Sequence, residues 1–173
     1  MSDDRILKVL FLCTGNSARS QIAEAILARK GGKRFQVASA GSRPAEQVNP
    51  MAIEVLGQVG IDWIGRQPKG IDELLNEGWD IIITVCDRAK EACPVFPGQP
   101  ITAHWGMPDP AEVEDPEQKK RAFQDTLTLV SRRIDLLLAL PFSKLERMVL
   151  EGRVRSIGGT GLPTPTPEGR GAH

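Results

Sequence analysis

The sequence predicts an α/β fold in which a four-stranded parallel sheet is flanked by helices. Four short and nearly continuous apolar runs have the length and the β-branched content of buried strands. Segments whose apolar residues recur at helical spacing alternate with these runs. This alternation favours parallel pairing, because a crossover helix returns the chain to the same end of the sheet. The chain has 173 residues, which is enough for one domain with a single buried core.

The first half of the chain gives two strands and two helices in alternation. Residues 6–12 and 35–40 form apolar runs that favour strands. After the first strand and its loop, four apolar residues recur at helical spacing: Ile22, Ala23, Ile26 and Leu27. Asn49 followed by Pro50 is typical of a helix N-terminus, with an N-cap and then a proline at the first helical position. A second helix is therefore predicted to begin at Pro50.

The second half of the chain adds two strands and one long helix. Residues 80–85 and 101–105 are the predicted strands. Asp115 followed by Pro116 is predicted to cap the long helix. The apolar stripe of this helix consists of Phe123, Leu127, Val130, Ile134 and Leu138. Pro141 is expected to end it, because proline cannot continue a helix.

The C-terminal end of the chain differs in composition from the rest. From Gly158 onward it consists mainly of Gly, Pro and Thr and has almost no apolar residues. Such a segment cannot bury enough surface to offset its chain entropy. We therefore divide the chain into a folded domain, residues 1–157, and a disordered Gly/Pro/Thr-rich tail, residues 158–173.

The charge balance and the N-terminus indicate a cytoplasmic protein. Lys and Arg number 22, as do Asp and Glu, so no net field favours nucleic acid or an anionic membrane. Residues 1–4 are acidic where a secretory signal is basic, and the apolar run 6–13 is too short to cross a bilayer. We expect a cytoplasmic monomer with no membrane and no nucleic-acid partner. In a reducing compartment its three cysteines are reactive, metal-binding or simply buried.

The most informative local pattern is the loop of residues 13–20, which joins the first strand to the first helix. Its small residues can turn successive backbone N–H groups and the helix N-terminus toward one point, an arrangement that binds tetrahedral oxyanions. Gly15 permits unusual dihedral angles, and Arg19 can bind two anion oxygens with its planar guanidinium. This positive environment is expected to lower the pKa of Cys13, and Ser20 is placed to donate a hydrogen bond to its thiolate. The predicted anion-binding residues are Thr14, Gly15, Asn16, Ser17, Ala18, Arg19 and Ser20.

This loop resembles the phosphate-binding loop of low-molecular-weight tyrosine phosphatases and of the arsenate reductases related to them. The resemblance covers residues 5–140 and implies the three-layer fold of that superfamily, with a four-stranded parallel sheet between helices. The alternative is that Cys13 is only the buried end of a strand. The strand–loop–helix context makes that the weaker interpretation.

Two further cysteines bear on the choice between phosphatase and reductase. Cys86 follows the third predicted strand, and Cys93 lies seven residues later. Parallel strands bring their carboxyl ends to one edge of the sheet, so we expect Cys86 to lie near Cys13. A phosphatase needs no further thiol, whereas this spacing resembles the redox segment of thioredoxin-coupled arsenate reductases. Two ordinary buried cysteines are the alternative, but residues 87–92 between them are too charged for a core segment.

A second segment, 104–110, also resembles the reductases. His-Trp-Gly at 104–106 followed by Asp109 and Pro110 resembles the family loop in which the aspartate is the general acid. The phosphatases usually have a tyrosine after this Asp-Pro pair. Here Ala111 fills the position, and the chain contains no tyrosine at all. The resemblance therefore favours an arsenate reductase.

The resemblance implies a relay of three thiols. Cys13 attacks arsenate bound by Arg19 and the loop, while Asp109 protonates the departing oxygen. Cys86 then attacks Cys13 and arsenite leaves. Cys93 next attacks Cys86, and thioredoxin reduces the resulting disulfide. No bound cofactor is implied, and a weak phosphatase side activity is expected. A low-molecular-weight thiol stays open as the electron donor, although the cysteine pair favours thioredoxin.

A zinc- or arsenite-binding site made of Cys86, Cys93 and His104 is the main alternative from another class of function. Zinc-binding cysteines usually come in close pairs, so the spacing of seven disfavours this interpretation. His104 is predicted to have a structural role, packing or hydrogen-bonding below the Asp109 loop.

A potassium site is a further property of some members of the family, with Asn, Glu, Ser and Asp ligands. Asn16, Glu24 and Ser39 match the first three ligands, but Lys69 stands at the aspartate position. Its ammonium group can take the place of the cation. We therefore predict no metal in the site.

Overall fold

Four parallel strands form the centre of the molecule. The computed structural model describes residues 5–87, 93–142 and 147–159. The strands are β1 (Leu7–Cys13), β2 (Phe35–Gly41), β3 (Ile81–Thr84) and β4 (Ile101–His104). They lie in the order β2-β1-β3-β4, and every neighbouring pair is parallel. The predicted four-stranded parallel sheet is confirmed, with strand ends within one or two residues of those expected.

The two central strands, β1 and β3, set the position of the functional edge. All of β3 and the last five residues of β1 are buried. A strand that is apolar on both sides is stable only where both of its faces are covered, which is the middle of the sheet. The register pairs Leu12 with Thr84. Cys13 directly follows Leu12, and Cys86 follows Thr84 by two residues. Both cysteines therefore lie at the carboxyl edge of the sheet, on neighbouring strands.

In the part of the chain that the structure describes, four α-helices flank the sheet. They are α1 (Arg19–Gly31), α2 (Pro50–Gln58), α3 (Pro116–Leu138) and α4 (Arg147–Ile157). Asn49 caps α2, since its Oδ1 accepts a hydrogen bond from the Met51 backbone N–H at 2.9 Å. Asp115 caps α3 in the same way, with Oδ2 2.9 Å from the Gln118 backbone nitrogen. Both caps, each with a proline at the first helical position, lie where the sequence predicts them.

The buried face of α3 differs from the predicted stripe at one position. Phe123, Leu127, Val130 and Ile134 are buried as expected. At the C-terminal end the fully buried residue is Leu137, while Leu138 is only partly buried. Ile134 and Leu137 are three residues apart and therefore share a face of the helix. The sequence prediction used a spacing of four after Ile134 and so chose Leu138 instead. The helix ends at Leu138, before Pro141.

Helix α4 is an element that the sequence interpretation missed. Its buried residues are Leu150, Val154 and Ile157, a spacing of four and then three that is the signal for an amphipathic helix. The helix covers the edge strand β4, and Arg155 Nε donates a hydrogen bond to the Thr102 carbonyl at 2.9 Å. The indole of Trp105, fully buried, donates to the Val154 carbonyl at 3.1 Å.

The junction between the end of α4 and β4 gives a test of this packing. A Cβ atom on Gly158 would lie 2.2 Å from the His104 carbonyl oxygen and 3.1 Å from Cδ1 of Trp105. Gly158→Ala should therefore lower the free energy of unfolding by about 1–3 kcal/mol, the usual effect of overpacking. Gly152→Ala is the matched control, because its Cβ would meet no atom within 4 Å. It should raise the free energy of unfolding by about 0.5–1 kcal/mol through helix propensity. Urea denaturation of both variants measures this, and effects of the same sign would contradict the packing.

Two sequence predictions concern parts of the chain that the structure leaves undescribed. Residues 160–173, most of the predicted disordered tail, lie outside the described residues, so the boundary at 158 stays a prediction. The same holds for residues 88–92 between the second and third cysteines. In the part of the chain that is described, no helix combines the length and the apolar character needed to cross a membrane.

Candidate active site

The loop between β1 and α1 lies at the carboxyl edge of the sheet. Cys13 is the last residue of β1 and is buried, and Arg19 is the first residue of α1. Ala18 occupies the N-cap position of α1 and provides no side-chain acceptor. The first amides of the helix are therefore available to a bound anion, which their partial positive charge attracts. The strand–loop–helix arrangement is the one that the sequence predicts.

Asn16 and Gly41 determine the backbone path of this loop. Asn16 has a φ of 53°, in the left-handed region that asparagine tolerates better than most residues. Gly15 permits unusual dihedral angles, but the positive φ in this loop lies at Asn16 and not at Gly15. Gly41 ends β2, and a Cβ there would lie 2.4 Å from the Thr14 carbonyl oxygen. The sequence interpretation missed Gly41, because only the pairing of β2 with β1 shows this close approach.

The Asn16 side chain is buried and holds the loop to its surroundings. Its Nδ2 donates hydrogen bonds to the hydroxyls of Ser20 and Ser39, each at 2.8 Å. Its Oδ1 accepts from the Gln21 side-chain amide at 3.0 Å and from the Lys69 backbone N–H at 2.9 Å. The Ser20 hydroxyl, predicted to donate to the Cys13 thiolate, is thus an acceptor for Asn16. These bonds order the loop in the free protein, which reduces the entropy lost on anion binding.

Glu24 lies behind the loop, at the far end of the same network. Its carboxylate accepts a hydrogen bond from the Ser39 hydroxyl at 2.6 Å. Burial raises the pKa of Glu24, while the Ser39 hydrogen bond and the positive charges of Lys69 and Arg66 act in the opposite direction. The positive charge of Lys69 thus favours the ionised form of Glu24, and the absence of a metal ion from this site stays a prediction.

Arg19 connects the anion loop to the segment that carries Asp109. Its Nη1 donates to the Met107 carbonyl at 3.0 Å, and its Nη2 lies 3.6 Å from Asp109 Oδ2. The other Asp109 oxygen accepts from the Ala111 backbone N–H at 3.0 Å. A guanidinium and a carboxylate therefore face the same loop. An anion there would meet one group that attracts it and one that can carry a proton.

A second arginine fixes the segment 105–109 from below. Arg133 on α3 is fully buried, and its Nη1 donates to the Gly106 carbonyl at 3.1 Å. Burial lowers the pKa of Arg133, because a charged group is poorly solvated in the interior. No sequence pattern singles out this residue, since it stands in the apolar stripe of a helix. Its bond holds the backbone of Gly106, three residues before Asp109.

The thiols of Cys13 and Cys86 meet at the edge of the sheet, as the sequence predicts. Cys86 is the largest cause of the raised pKa of the Cys13 thiol, through a side-chain hydrogen bond, so the two side chains are neighbours. The Cys86 sulfur also lies 3.3 Å from Thr14 Oγ1. Both cysteines are buried and neither is in a disulfide. Two neighbouring free thiols, one in the anion-binding loop and one after β3, are the arrangement from which a disulfide can form.

The predicted low pKa of Cys13 was wrong for the free protein. The hydrogen bond with Cys86 and burial raise the pKa of the Cys13 thiol well above its usual range. The Arg19 charge and the Asn16 backbone N–H lower it, but they do not outweigh the first two effects. The predicted pKa rested on the positive charges of the loop alone. The effect of the Cys86 thiol was not included, because its closeness to Cys13 depends on the register between β1 and β3.

Replacing Cys86 should therefore lower the pKa of Cys13. In Cys86→Ala the largest cause of the upward shift is lost, while the attraction of Arg19 remains. The pH midpoint for alkylation of Cys13 by iodoacetamide, followed by peptide mass spectrometry, should move to lower pH, and Cys13 should react faster at pH 7. Cys93→Ala is the control, because Cys93 does not contribute to the shift. A midpoint that stays in place in Cys86→Ala would contradict this account.

Cys93 lies in a different environment from the other two thiols. It is partly buried in the wall of a cavity of about 730 Å³, which Phe96, Thr102 and His104 also line. Its sulfur is 3.6 Å from the Pro94 carbonyl oxygen. Burial raises the pKa of Cys93. Cys93 therefore lies beside β3 and β4, and it is not part of the anion loop.

The described residues contain no candidate metal centre. Within 5–87, 93–142 and 147–159, no group of three or more His, Cys, Asp or Glu side chains could hold a metal ion. The alternative zinc site of Cys86, Cys93 and His104 thus has no support there. The His104 imidazole is engaged by Thr84 and Asp87 instead.

Comparisons with known proteins agree with this geometry. The profile of the family "low molecular weight phosphotyrosine protein phosphatase" matches residues 8–150. The arsenate reductase of Halalkalibacterium halodurans is 37% identical over 127 residues, which cover 73% of this chain and 91% of that protein. The arsenate reductase of Bacillus subtilis is 38% identical over 115 residues, which cover 66% of this chain and 82% of that protein.

A solved structure agrees as well. The thioredoxin-dependent arsenate reductase of Corynebacterium glutamicum superposes with a TM-score of 0.61 at 32% identity. The match covers 78% of this chain and 61% of the other, so this chain spans about three fifths of that protein. Together with the sheet topology, the likeness confirms the predicted three-layer α/β fold.

Proposed function

Because the chain belongs to the low molecular weight phosphotyrosine protein phosphatase family, we propose that it uses the anion loop of that family to reduce arsenate to arsenite. The observation that carries this proposal is the Cys86 thiol in contact with Cys13. Hydrolysis of a phosphate ester requires one nucleophilic thiol and no second one. Reduction of arsenate requires two electrons, and two adjacent thiols supply them by becoming a disulfide.

The first step joins arsenic to Cys13. Arsenate binds to the loop amides and to Arg19, whose positive charges balance the oxyanion. The Cys13 thiol and hydrogen arsenate then exchange an arsenic–oxygen bond for an arsenic–sulfur bond. The thiol proton and the arsenate proton leave with the released oxygen as water. Asp109 passes the thiol proton on to that oxygen and so ends the step in the state in which it began, and Arg19 holds it near the loop. A protonated Cys13 in the free enzyme is compatible with this step, because its proton ends in the water.

The second step moves two electrons onto arsenic. The Cys86 sulfur attacks the Cys13 sulfur, the sulfur–sulfur bond forms, and the sulfur–arsenic bond breaks with its electron pair left on arsenic. Arsenic goes from As(V) to As(III), and the two sulfurs are oxidised to a disulfide. The proton from Cys86 is taken by an arsenite oxygen. The hydrogen bond between Cys86 and Cys13 supports this assignment, since the attacking atom already lies next to its target.

The third step restores Cys13. Cys93 attacks Cys86, so the disulfide moves to the pair Cys86–Cys93 and Cys13 regains its proton. The partly buried position of Cys93 beside β3 and β4 supports this role. The connecting residues 88–92 lie outside the described residues, and their predicted change of conformation on oxidation stays a prediction.

Thioredoxin completes the cycle in this proposal, as electron donor to the Cys86–Cys93 disulfide. The likeness to the thioredoxin-dependent enzyme of Corynebacterium glutamicum supports this partner over a low-molecular-weight thiol. The enzyme is proposed to act as a cytoplasmic monomer without a bound cofactor. Its balanced charge of 22 basic and 22 acidic residues supports a small-anion substrate held by a local positive site.

A side activity separates the reductase from a phosphatase. Cys13, Arg19 and Asp109 contain what phosphoester cleavage needs, so slow hydrolysis of p-nitrophenyl phosphate is expected. Cys86→Ser should keep this hydrolysis and lose arsenate reduction, because only reduction uses the second thiol. Parallel assays of p-nitrophenol and arsenite release measure both. Hydrolysis much faster than arsenate reduction in the unmodified enzyme would favour a phosphatase as the main function.

A further inference from the structure

His104, the last residue of β4, contacts two residues that flank Cys86 in the sequence. Its Nδ1 lies 2.7 Å from Oγ1 of Thr84, the last residue of β3. Its Nε2 lies 2.9 Å from Oδ1 of Asp87, which directly follows Cys86. One imidazole therefore joins residues 84 and 87. It closes the turn in which Cys86 stands and fixes that turn to the neighbouring strand.

The hydrogen bonds define the tautomer of the neutral ring. A carboxylate can only accept, so Nε2 carries the proton and donates to Asp87. Nδ1 then accepts from the Thr84 hydroxyl at 2.7 Å. The competing acceptor of that hydroxyl, the Ala103 carbonyl, is 3.4 Å away, which is beyond the usual length of such a bond. Both ring nitrogens are thus engaged in the turn.

The Cys86 side chain in this turn contacts the anion loop. The Cys86 sulfur is held there by Thr14 at 3.3 Å and by Cys13. The side chain of Asp87, in contrast, is 88% exposed, so its ordering comes from the bond to His104. We propose that His104 is a positioning residue for arsenate reduction, which fixes the Thr84–Asp87 turn and so presents the Cys86 thiol to Cys13.

This inference rests on the proposed function and concerns one step of it, the formation of the Cys13–Cys86 disulfide. That step needs the Cys86 sulfur in line with the sulfur–arsenic bond of Cys13. A displacement of about 1 Å in such an attack can cost roughly a hundredfold in rate. Arsenate binding and the first bond to arsenic involve Cys13, Arg19 and the loop amides, so His104 should affect them much less.

The test uses a Cys93→Ser parent, in which the relay stops after one turnover. Rapid-quench mass spectrometry gives the rate of Cys13–Cys86 disulfide formation after mixing with arsenate. Asp87→Ala removes the acceptor on an exposed side chain and should slow this step by about tenfold or more. Asp87→Asn keeps an acceptor oxygen for Nε2–H and should recover most of the rate. Glu54→Ala is the matched control, because it removes an exposed carboxylate from a pair with Lys120 at 3.7 Å.

Two further readouts separate positioning from general damage to the fold. The slowing in Asp87→Ala should exceed any change in p-nitrophenyl phosphate hydrolysis by about tenfold, since hydrolysis does not use Cys86. If His104 and Asp87 act as one unit, their effects should not add. The double variant His104→Gln/Asp87→Ala should then form the Cys13–Cys86 disulfide almost as fast as His104→Gln alone. Disulfide formation within twofold of the parent in Asp87→Ala would overturn the inference, as would equal slowing in Glu54→Ala. A parent that forms no Cys13–Cys86 disulfide would overturn the proposed function and, with it, the inference.

Discussion

Cys13→Ser should abolish arsenite formation, with a loss of at least about 10³-fold, on the order seen when an enzyme loses its nucleophile. Serine keeps the size and the hydrogen-bonding capacity of the side chain, so the loop should keep its shape. Its hydroxyl is, however, a poor nucleophile and cannot form the disulfide that supplies the electrons. Neither of the other thiols is expected to take over the attack on arsenate, because Cys86 follows β3 rather than lying in the loop and Cys93 lines a separate cavity. Arsenite release with thioredoxin in excess measures the effect.

Equilibrium binding is the control for this variant. Phosphate should still raise the unfolding temperature of Cys13→Ser, because Arg19 and the loop amides that bind it are unchanged. Loss of both binding and turnover would mean that the substitution disturbs the loop, and the experiment would then be repeated with Cys13→Ala. Arsenite formation by either variant at more than a few per cent of the normal rate would contradict the assignment of Cys13 as nucleophile.

Cys93→Ser should change the enzyme from many turnovers to one. The first two steps use only Cys13 and Cys86, so one arsenite per enzyme should be released in a burst. The enzyme should then stop as a Cys13–Cys86 disulfide, which is buried and which thioredoxin is not expected to reach. Peptide mass mapping after the burst identifies the bond, and arsenite counting gives the stoichiometry. Multiple turnover by Cys93→Ser with thioredoxin as sole reductant would remove Cys93 from the relay.

Much of the site can be predicted from sequence because its parts are local. The loop of residues 13–20 follows a recognisable strand and precedes a recognisable helix, and parallel pairing brings Cys86 to the same edge. The caps at Asn49 and Asp115 are likewise signalled by their own residues and the prolines that follow. Such features depend on neighbours in the chain, so pattern and propensity are enough to find them.

The features that escaped prediction depend on contacts between distant residues. The raised pKa of Cys13 depends on a thiol of the adjacent strand, whose position follows from register. The left-handed Asn16 is stabilised by partners on β2 and on the segment before Gly70, which no local pattern reveals. Helix α4 has a clear apolar spacing, but its sequence is otherwise polar, and its stability comes from packing on β4. These three features are determined by tertiary contacts, which local sequence patterns do not show.

The most direct test of the account is the coupled assay of the purified enzyme with arsenate, thioredoxin, thioredoxin reductase and NADPH. Oxidation of NADPH should depend on arsenate, match arsenite formation one to one, and disappear when Cys13, Cys86 or Cys93 is replaced by serine. Phosphate should inhibit it by competing for the loop at Arg19. Rapid p-nitrophenyl phosphate hydrolysis without arsenate-dependent oxidation of NADPH would contradict the central claim, because the three thiols would then not form an electron relay to arsenic.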